Sequence, residues 1–283
     1  MNIERSLKQA TSEFRNLDIK SASLDARLLL AHTLDKSIEY LLLNPECDLR
    51  NFEIDKFHEL VSKRCDLIPL PYILGFKEFY GRKFEVNNKV LIPRPDTETL
   101  ITAILASSYA QNHNLKMLEL GVGSGCIIIS LLLEIISATG IGCDIEPDAL
   151  LISKNNAKTY GLVNRIKLIL SNWFESIEKE RFDIIVSNPP YIAIEERELM
   201  SKETLLHEPA SALFAGHQGL EAYENIASKA SSFIADKGSI FLEVGFSQAD
   251  QINNIFSKAG FFLASITKDL SGYDRVLQFK ICD

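Results

Sequence analysis

The stretch that decides the fold is residues 116–125, which read KMLELGVGSG. The first half, KMLEL, is mainly apolar and is typical of a buried strand. The second half contains three glycines, and the apolar segment after it predicts a helix over residues 127–134. A strand, a glycine-rich turn and a helix in this order predict an α/β unit in which a ligand lies against the turn.

The alternation of strands and helices continues to the end of the chain. From about residue 97, predicted helices alternate with predicted strands. The further helices cover residues 97–110, 147–160, 220–235 and 248–259. The strands are KMLEL, a strand ending at Asp144, IKLIL, FDIIVS, SIFLEV, FLASIT and RVLQFK. Such alternation predicts a mostly parallel sheet with helices on both faces. Ligands of these sheets bind beyond the carboxyl ends of the strands, so the loops after the first five strands should form the site.

The residues before this region have a different pattern. SLDARLLLAHTL and IDKFHELVSKRC place apolar residues at helical spacing, so residues 2–68 are predicted to be helical. FYGRKFEVNNKVLIP alternates and carries turn residues, which favours a β-hairpin. We therefore predict a helical domain over residues 1–70, a β-hairpin linker over 71–95 and an α/β domain over 96–283.

Composition excludes several classes of protein. The 283 residues are 46% apolar and 24% charged, which is the balance of a soluble globular protein. The longest apolar run, residues 126–136, is shorter than the roughly 20 residues of a membrane span. The N-terminal MNIERSLKQATSEF has no apolar core of a signal peptide. We expect a cytoplasmic protein that does not enter a membrane.

The cysteines, the histidines and the distribution of charge exclude further classes of protein. The five cysteines are scattered without a CxxC pair, and the five histidines lack ligand spacing, so neither a disulfide framework nor a metal site is expected. Residues 94–283 carry the whole net charge of −8, whereas residues 1–93 are balanced. Nucleic-acid binding usually requires a concentrated basic surface, so no stable nucleic acid partner is expected.

The glycine turn comprises Gly121, Val122, Gly123, Ser124 and Gly125. A phosphate-binding P-loop would need a following lysine. A nucleophile elbow, GxSxG with Ser124 as nucleophile, would need glycine at position 122, which is valine. A dinucleotide fingerprint would need glycine at position 126, which is cysteine. The observed pattern is an acidic residue followed by three alternating glycines, and a purely structural turn stays an alternative.

Asp144 ends the second predicted strand. A carboxylate at this place can accept the two hydrogen bonds of a ribose diol, although it could also cap the helix that begins near Pro147. Together, the turn and Asp144 predict a bound nucleoside without saying which one.

A second motif follows the strand FDIIVS and reads Asn188-Pro189-Pro190-Tyr191. The prolines lack backbone N–H groups, which leaves carbonyl oxygens of the segment free to accept hydrogen bonds. Asn188 adds a side-chain carbonyl oxygen and Tyr191 adds an aromatic face. This set suits a planar –NH2 group, which needs two acceptors and a stacking surface; a rigid turn at a strand end is the alternative.

The pair LELGVGSG and SNPPYI resembles the S-adenosylmethionine-dependent methyltransferases that modify planar amino groups. Three further stretches are similar to the protein-(glutamine-N(5)) methyltransferases of peptide chain release factors: PYILGFKEFYGRKFEVNNKVLIPRPDTE, HEPASALFAGHQGLEAYENI and DLSGYDRVLQFK. The resemblance covers the chain from about residue 70 to the end. It implies a Rossmann-like catalytic domain with a seven-stranded sheet, and a helical N-terminal domain that recognises the substrate.

The resemblance also implies roles for individual residues. It places S-adenosylmethionine on Gly121–Gly125 and Asp144, with Trp173 beside the adenine and Asn188 at the edge of the cofactor site. It makes Asn188–Tyr191 the clamp for the substrate amide, with Asn188 and Pro189 catalytic. Two positions depart from the common pattern: Asp96 stands where glutamate is more frequent, and His207 where tyrosine is.

The activity so implied is methylation of the glutamine in the Gly-Gly-Gln motif of class I release factors, supporting translation termination and leaving S-adenosylhomocysteine as product. We expect a monomeric enzyme without a metal or a dedicated general base. A DNA or RNA amino-methyltransferase that acts on an exocyclic base amine is the main alternative. A non-enzymatic nucleoside-binding module is less favoured, since cofactor binding alone does not require NPPY.

Overall fold

The computed structural model describes residues 1–111 and 114–282, which form two compact units. The first unit contains Met1–Gly75 together with Ser201–His207, and the second contains the rest of the described chain. The inclusion of a short distant segment in the first unit is a feature that no local sequence pattern indicated. Residues 76–85, which include the hairpin, belong to the second unit.

Helices build the first unit: α1 (Ile3–Asn16), α2 (Ala22–Leu34), α3 (Ile38–Leu43), α4 (Asn51–Cys65), α5 (Leu70–Leu74) and the distant Lys202–His207. Phe14, Leu29 and Phe57 are fully buried at their centre. Arg64 is also buried, and its guanidinium donates hydrogen bonds of 2.8 Å to both Asp25 and Glu203. The buried charge of Arg64 is thus paired inside this unit.

The second unit begins with a hairpin of β1 (Phe76–Phe79) and β2 (Arg82–Glu85). Its sheet contains β3 (Lys116–Leu120), β4 (Thr139–Asp144), β5 (Ile166–Leu170), β6 (Phe182–Ser187), β7 (Ile234–Glu243), β8 (Phe261–Lys268) and β9 (Asp274–Ile281). The strand order is β5-β4-β3-β6-β7-β9-β8. Only β9 runs antiparallel to its neighbours β7 and β8, so the sheet is mostly parallel, as predicted.

The remaining helices are α6 (Glu98–Ala106), α7 (Cys126–Glu134), α8 (Pro147–Thr159), α10 (Glu221–Ala230) and α11 (Ala249–Lys258), with Lys202–His207 as α9. Helices α6 and α7 contribute to the apolar cluster on one face of the sheet, and α10 and α11 to that on the other. Successive residues of β3 alternate between the faces, since Met117 belongs to the first cluster and Leu118 to the second.

Two predicted helices are shorter than expected. The helix predicted over 97–110 ends at Ala106 and is followed by a 3-10 turn, Ser108–Gln111. The helix predicted over 220–235 ends at Ala230, because β7 already begins at Ile234, where it pairs with Phe182. Within the described residues, no helix has the length and apolar character needed to cross a membrane.

Candidate functional site

A cavity of about 290 Å³ lies at the carboxyl ends of β3, β4 and β6, within the second unit. This is near the lower end of the range usual for small-molecule sites, roughly 300–1,000 Å³. Eight of the residues predicted from the sequence line it: Gly121, Val122, Gly123, Ser124, Asp144, Trp173, Asn188 and Pro190. The other three, Gly125, Pro189 and Tyr191, neighbour these residues in sequence but are not part of the lining.

The glycine turn forms part of the cavity wall. Gly123 has a φ of +52°, and a side chain there would extend into open space. Gly125 has a φ of +80° and forms the N-cap of α7. A Cβ atom at Gly125 would lie 2.5 Å from Ser153 Oγ, so this position accepts only glycine without rearrangement. The turn is therefore shaped both by backbone conformation and by close packing against α8.

Asp144 organises this turn. Its Oδ2 accepts a hydrogen bond of 2.9 Å from the Gly123 N–H, and its Oδ1 accepts one of 3.0 Å from the Glu146 N–H. Burial raises the pKa of the Asp144 carboxyl, and these two bonds oppose the rise. A carboxylate offers about four acceptor positions, so capacity toward the cavity remains. The N-cap of α8 is Glu146, which does not support the alternative that Asp144 caps this helix.

Glu119 is a lining residue that was not predicted as a site residue. It is 1% exposed, and its Oε2 accepts a hydrogen bond of 2.9 Å from the Ile128 N–H in α7. Its Oε1 has no hydrogen-bond partner among the described residues. Burial raises the pKa of the Glu119 carboxyl well above its ordinary value. A buried acceptor at the cavity wall is thus available to a ligand that brings a donor or a positive charge.

Trp173 has a φ of +50° and contributes to the cavity wall after β5. Its carbonyl oxygen accepts a hydrogen bond of 2.9 Å from Ser171 Oγ, which holds the turn. The indole is partly buried and packs against the apolar cluster that contains α10 and α11. Trp173 therefore both packs in the core and lines the cavity.

The NPPY segment begins where β6 ends. Ser187 Oγ donates a hydrogen bond of 2.6 Å to the Leu120 carbonyl, which joins the ends of β6 and β3. Asn188 Nδ2 then donates a hydrogen bond of 3.1 Å to Thr97 Oγ1. Within the described chain, no hydrogen bond occupies Asn188 Oδ1 or the Pro189 carbonyl oxygen. Two acceptors at the end of β6 are therefore open.

Tyr191 is held by the loop after β7. Its carbonyl oxygen accepts a hydrogen bond of 3.0 Å from Gln248 Nε2. A Cβ atom on Gly219 would lie 2.2 Å from the same oxygen, so only glycine allows this approach. Burial raises the pKa of the Tyr191 phenol to about 12, and the ring is uncharged at neutral pH.

An ion pair joins two of the stretches that carried the sequence resemblance. Arg94, which lines the cavity, donates a hydrogen bond of 2.6 Å to Glu208 Oε1, and the Ile92 N–H donates one of 3.2 Å to Glu208 Oε2. Asp96 lies 3.7 Å from Arg275. His207 belongs to the first unit, where its Nε2 is 3.1 Å from the Asp66 carbonyl, and it does not line the cavity.

Glu243, the last residue of β7, is a second buried carboxyl group that was not predicted. It is 1% exposed, and its Oε2 has no partner among the described residues. Burial raises the pKa of Glu243 to about 7, although the Thr97 hydroxyl, Arg275 and Arg94 oppose the rise. No group of three or more His, Cys, Asp or Glu side chains in the described residues could hold a metal ion.

Replacing Glu243 by glutamine should stabilise the fold at high pH. Between pH 4.5 and about 7 the folded state binds more protons than the unfolded state, so stability falls as the pH rises through this window. Since glutamine does not titrate, the variant should gain up to about 3 kcal/mol near pH 8 and roughly nothing near pH 4. Urea denaturation across this pH range would measure it; a gain that does not depend on pH would contradict the assignment.

The fold together with the matching family models defines the class of protein, which is a Rossmann-like methyltransferase. A crystal structure of a methyltransferase from Pyrococcus furiosus shares this fold with a TM-score of 0.53 at 15% identity, over 72% of this chain and 90% of that one. The sequence matches the PrmC N-terminal domain over residues 6–75 and the methyltransferase small domain over residues 99–220.

Relatives of higher sequence identity show the family. A bifunctional methyltransferase of Rickettsia felis is 42% identical over 98% of this chain, which spans 58% of that protein's length. A release factor glutamine methyltransferase of Agrobacterium fabrum is 38% identical, over 91% of this chain and 90% of that protein. The chain belongs to the release factor glutamine methyltransferase family.

Proposed function

We propose that this protein transfers a methyl group from S-adenosylmethionine to the side-chain nitrogen of the glutamine in the Gly-Gly-Gln motif of class I release factors, in the cytoplasm. The observation that carries the proposal is the open pair of acceptors at the end of β6. Asn188 Oδ1 and the Pro189 carbonyl oxygen have no partners in the described chain, while Asn188 Nδ2 is tied to Thr97. This is the complement of a primary amide, which carries two N–H donors.

The cavity residues fit S-adenosylmethionine. Glu119 Oε1, a buried acceptor without a partner, suits the ammonium group of the methionine part. Asp144 suits the ribose diol, and the open side of the Gly123 backbone allows a ligand to approach closely. Trp173 offers an apolar wall for the adenine. When bound, the cofactor supplies an electrophilic methyl group and leaves as S-adenosylhomocysteine.

The chain's own contribution is to align a weak nucleophile. An amide nitrogen reacts poorly because its lone pair is delocalised into the carbonyl group. Acceptance of both N–H bonds by Asn188 and Pro189 would orient this nitrogen and favour the charge that develops on it. Positioning of this kind can lower a barrier by about 7–11 kcal/mol. The proton released on methylation would leave to water.

The helical first unit is proposed to recognise the release factor. In support, residues 6–75 match the PrmC N-terminal domain, and this unit has its own buried core. We also propose that the enzyme acts as a monomer. Its net charge of −8 argues against a stable nucleic acid partner.

Labelled methyl transfer tests the function. The protein should label an intact class I release factor but not the same factor with alanine in place of the Gly-Gly-Gln glutamine. Mass spectrometry should locate the added methyl group on this glutamine. Transfer to RNA or DNA under the same conditions, without transfer to the release factor, would favour the nucleic-acid alternative instead.

Asp144→Ala should weaken cofactor binding. Loss of a partly buried acceptor for a polar ligand group costs about 1–3 kcal/mol, so the dissociation constant should rise roughly 5- to 150-fold. Calorimetry with S-adenosylhomocysteine measures this change directly. Asp236→Ala provides the matched control, because Asp236 is exposed at the other end of β7. Equal affinities for the two variants would remove Asp144 from the ribose role.

A further inference from the structure

Three exposed apolar side chains lie in two loops at the carboxyl edge of the sheet. Phe246, in the loop after β7, is 68% exposed. Tyr273, in the loop between β8 and β9, is 54% exposed, and Leu270 in the same loop is fully exposed. The rings of Phe246 and Tyr273 contact each other edge to face, with centroids 5.8 Å apart. Exposed apolar groups that cluster in this way are typical of a binding surface. We refer to Phe246 and Tyr273 as the aromatic pair.

Hydrogen bonds hold the loop of Tyr273 in a defined conformation. The buried Asp269 carboxylate accepts a hydrogen bond of 3.0 Å from the Tyr273 N–H and another of 3.0 Å from the Arg275 guanidinium. The same guanidinium donates a hydrogen bond of 3.0 Å to the Val244 carbonyl, two residues before Phe246. The two loops of the aromatic pair are thus joined to each other. A surface that is ordered before binding loses less conformational entropy when a partner binds.

The loop of Phe246 is also joined to the NPPY segment. Gly245, the residue before Phe246, donates a hydrogen bond of 3.1 Å to Gln248 Oε1, and Gln248 Nε2 donates one of 3.0 Å to the Tyr191 carbonyl. A Cβ atom on Gly245 would lie 3.4 Å from Cδ2 of the Tyr191 ring, so the backbone at Gly245 passes close to this ring. The aromatic pair is therefore continuous with the last residue of the NPPY segment.

The order of the strands places the aromatic pair on the side of Asn188 that faces away from the cofactor cavity. Asn188 follows β6, which lies between β3 and β7, and β9 lies beyond β7. The cavity extends from the end of β6 toward β3 and β4, and in the described chain residues 244–248 and 269–273 lie outside its lining. Adjacent strands are about 5 Å apart, so the two loops begin about 5 Å and about 10 Å from the end of β6. Two or three extended residues, at about 3.5 Å each, cover this distance.

We propose that the aromatic pair binds the main chain of the release factor beside the glutamine that is methylated. The inference rests on the proposed function and adds the surface that receives the substrate's backbone. A glutamine side chain that reaches Asn188 leaves its own main chain at the mouth of the site. The two glycines of a Gly-Gly-Gln segment have no side chain, so their peptide groups can approach another surface closely. These flat groups can therefore lie directly on the rings of Phe246 and Tyr273.

Steady-state kinetics on intact release factor provide the test. Phe246→Ala and Tyr273→Ala should each raise the KM for release factor roughly 5- to 30-fold, the range expected for an aromatic residue that contributes strongly to an interface. The kcat at saturating release factor should stay within about 3-fold of wild type, because only ground-state binding is removed. Phe246→Tyr keeps the ring and should keep the KM within about 2-fold. The dissociation constant of S-adenosylhomocysteine should change by less than about 2-fold in all three variants.

Phe262 supplies the matched control. It is also an exposed phenylalanine, with 47% of its surface accessible, and it is the second residue of β8. Since β8 runs in the same direction as β7, Phe262 lies at the opposite edge of the sheet from the aromatic pair. Phe262→Ala should therefore leave the KM for release factor within about 2-fold of wild type. A rise in KM as large as that of Phe246→Ala would overturn the proposal.

A double-mutant cycle locates the contact on the substrate. Alanine in place of the glycine next to the glutamine should raise the KM of the wild-type enzyme, and should raise that of Phe246→Ala by a smaller factor, because groups in contact are coupled. Additive changes in KM, or a lowered kcat with an unchanged KM, would overturn the docking role.

Two further outcomes are distinguishable from these. A wild-type dimer in sedimentation that Phe246→Ala dissociates would overturn the proposal in favour of contact with a second copy of the chain. Failure of the wild-type protein to methylate the release factor would overturn the proposed function itself, whereas normal methylation with an unchanged KM in both alanine variants would overturn only the role of the aromatic pair.

Discussion

Asn188→Ala should lower the rate of methyl transfer to release factor by a factor of about 10²–10³, the usual loss when one preorganised polar group at a reacting centre is removed. The Asn188 side chain supplies one of the two open acceptors at the end of β6. Affinity for S-adenosylhomocysteine should change far less, because the glycine turn and Asp144 remain. Single-turnover kinetics and calorimetry on the same preparation would measure both quantities.

Two further variants sharpen this experiment. Asn188→Asp should also fail, since it replaces a neutral acceptor by a charge beside the sulfonium and removes the donor to Thr97. Asn155→Ala is the matched control, because Asn155 is exposed on α8 and does not line the cavity. Near-normal methylation by either Asn188 variant would contradict the proposed role of Asn188 in binding the substrate amide.

Arg64→Met should destabilise the first unit by about 3–5 kcal/mol, because it leaves a buried carboxylate without its partner. The Arg64 and Asp25 side chains are each 4% exposed, and their atoms Nε and Oδ2 are 2.8 Å apart. The same change also removes the hydrogen bond to Glu203. Denaturant unfolding monitored in the full chain would show the loss.

The neighbouring residue supplies a control for this change. Lys63 pairs with Glu59 on the surface of the same helix, with its side chain 47% exposed. Exposed pairs are worth about 0–1 kcal/mol, so Lys63→Met should be nearly neutral. The double variant Asp25→Leu/Arg64→Met should regain much of the stability, since it removes both buried charges. If Arg64→Met and Lys63→Met lowered the free energy of unfolding equally, the buried Arg64–Asp25 pair would contribute no more to stability than the exposed pair.

The sequence was informative about the sheet because its strands carry strong local signals. KMLEL and FDIIVS are short, mainly apolar runs, followed by Gly121 and by Asn188-Pro189 respectively, and both are buried parallel strands. Helix ends were less predictable. The apolar spacing of α10 continues past Ala230 into residues that belong to β7, and only pairing with β6 decides where the strand begins.

The site was predictable where it consists of backbone motifs and less so where it consists of buried carboxyl groups. Glu119 and Glu243 each follow a run of buried apolar residues near or at the carboxyl end of a strand. This placement is a signal, because a charge in a buried strand needs a reason. The contact of Thr97 with Asn188 joins residues that are 91 positions apart, and no local pattern contains it.

The discontinuous first unit has a consequence for synthesis on the ribosome. Arg64 and Glu203 are separated by 139 positions, so the helical unit lacks its last segment until most of the second unit has been translated. The strands β3 to β6 therefore emerge while the third member of the Arg64 ion network is still missing. The helical unit is completed only after β6 has been made, and a truncated product that ends before residue 201 would carry an incomplete helical unit.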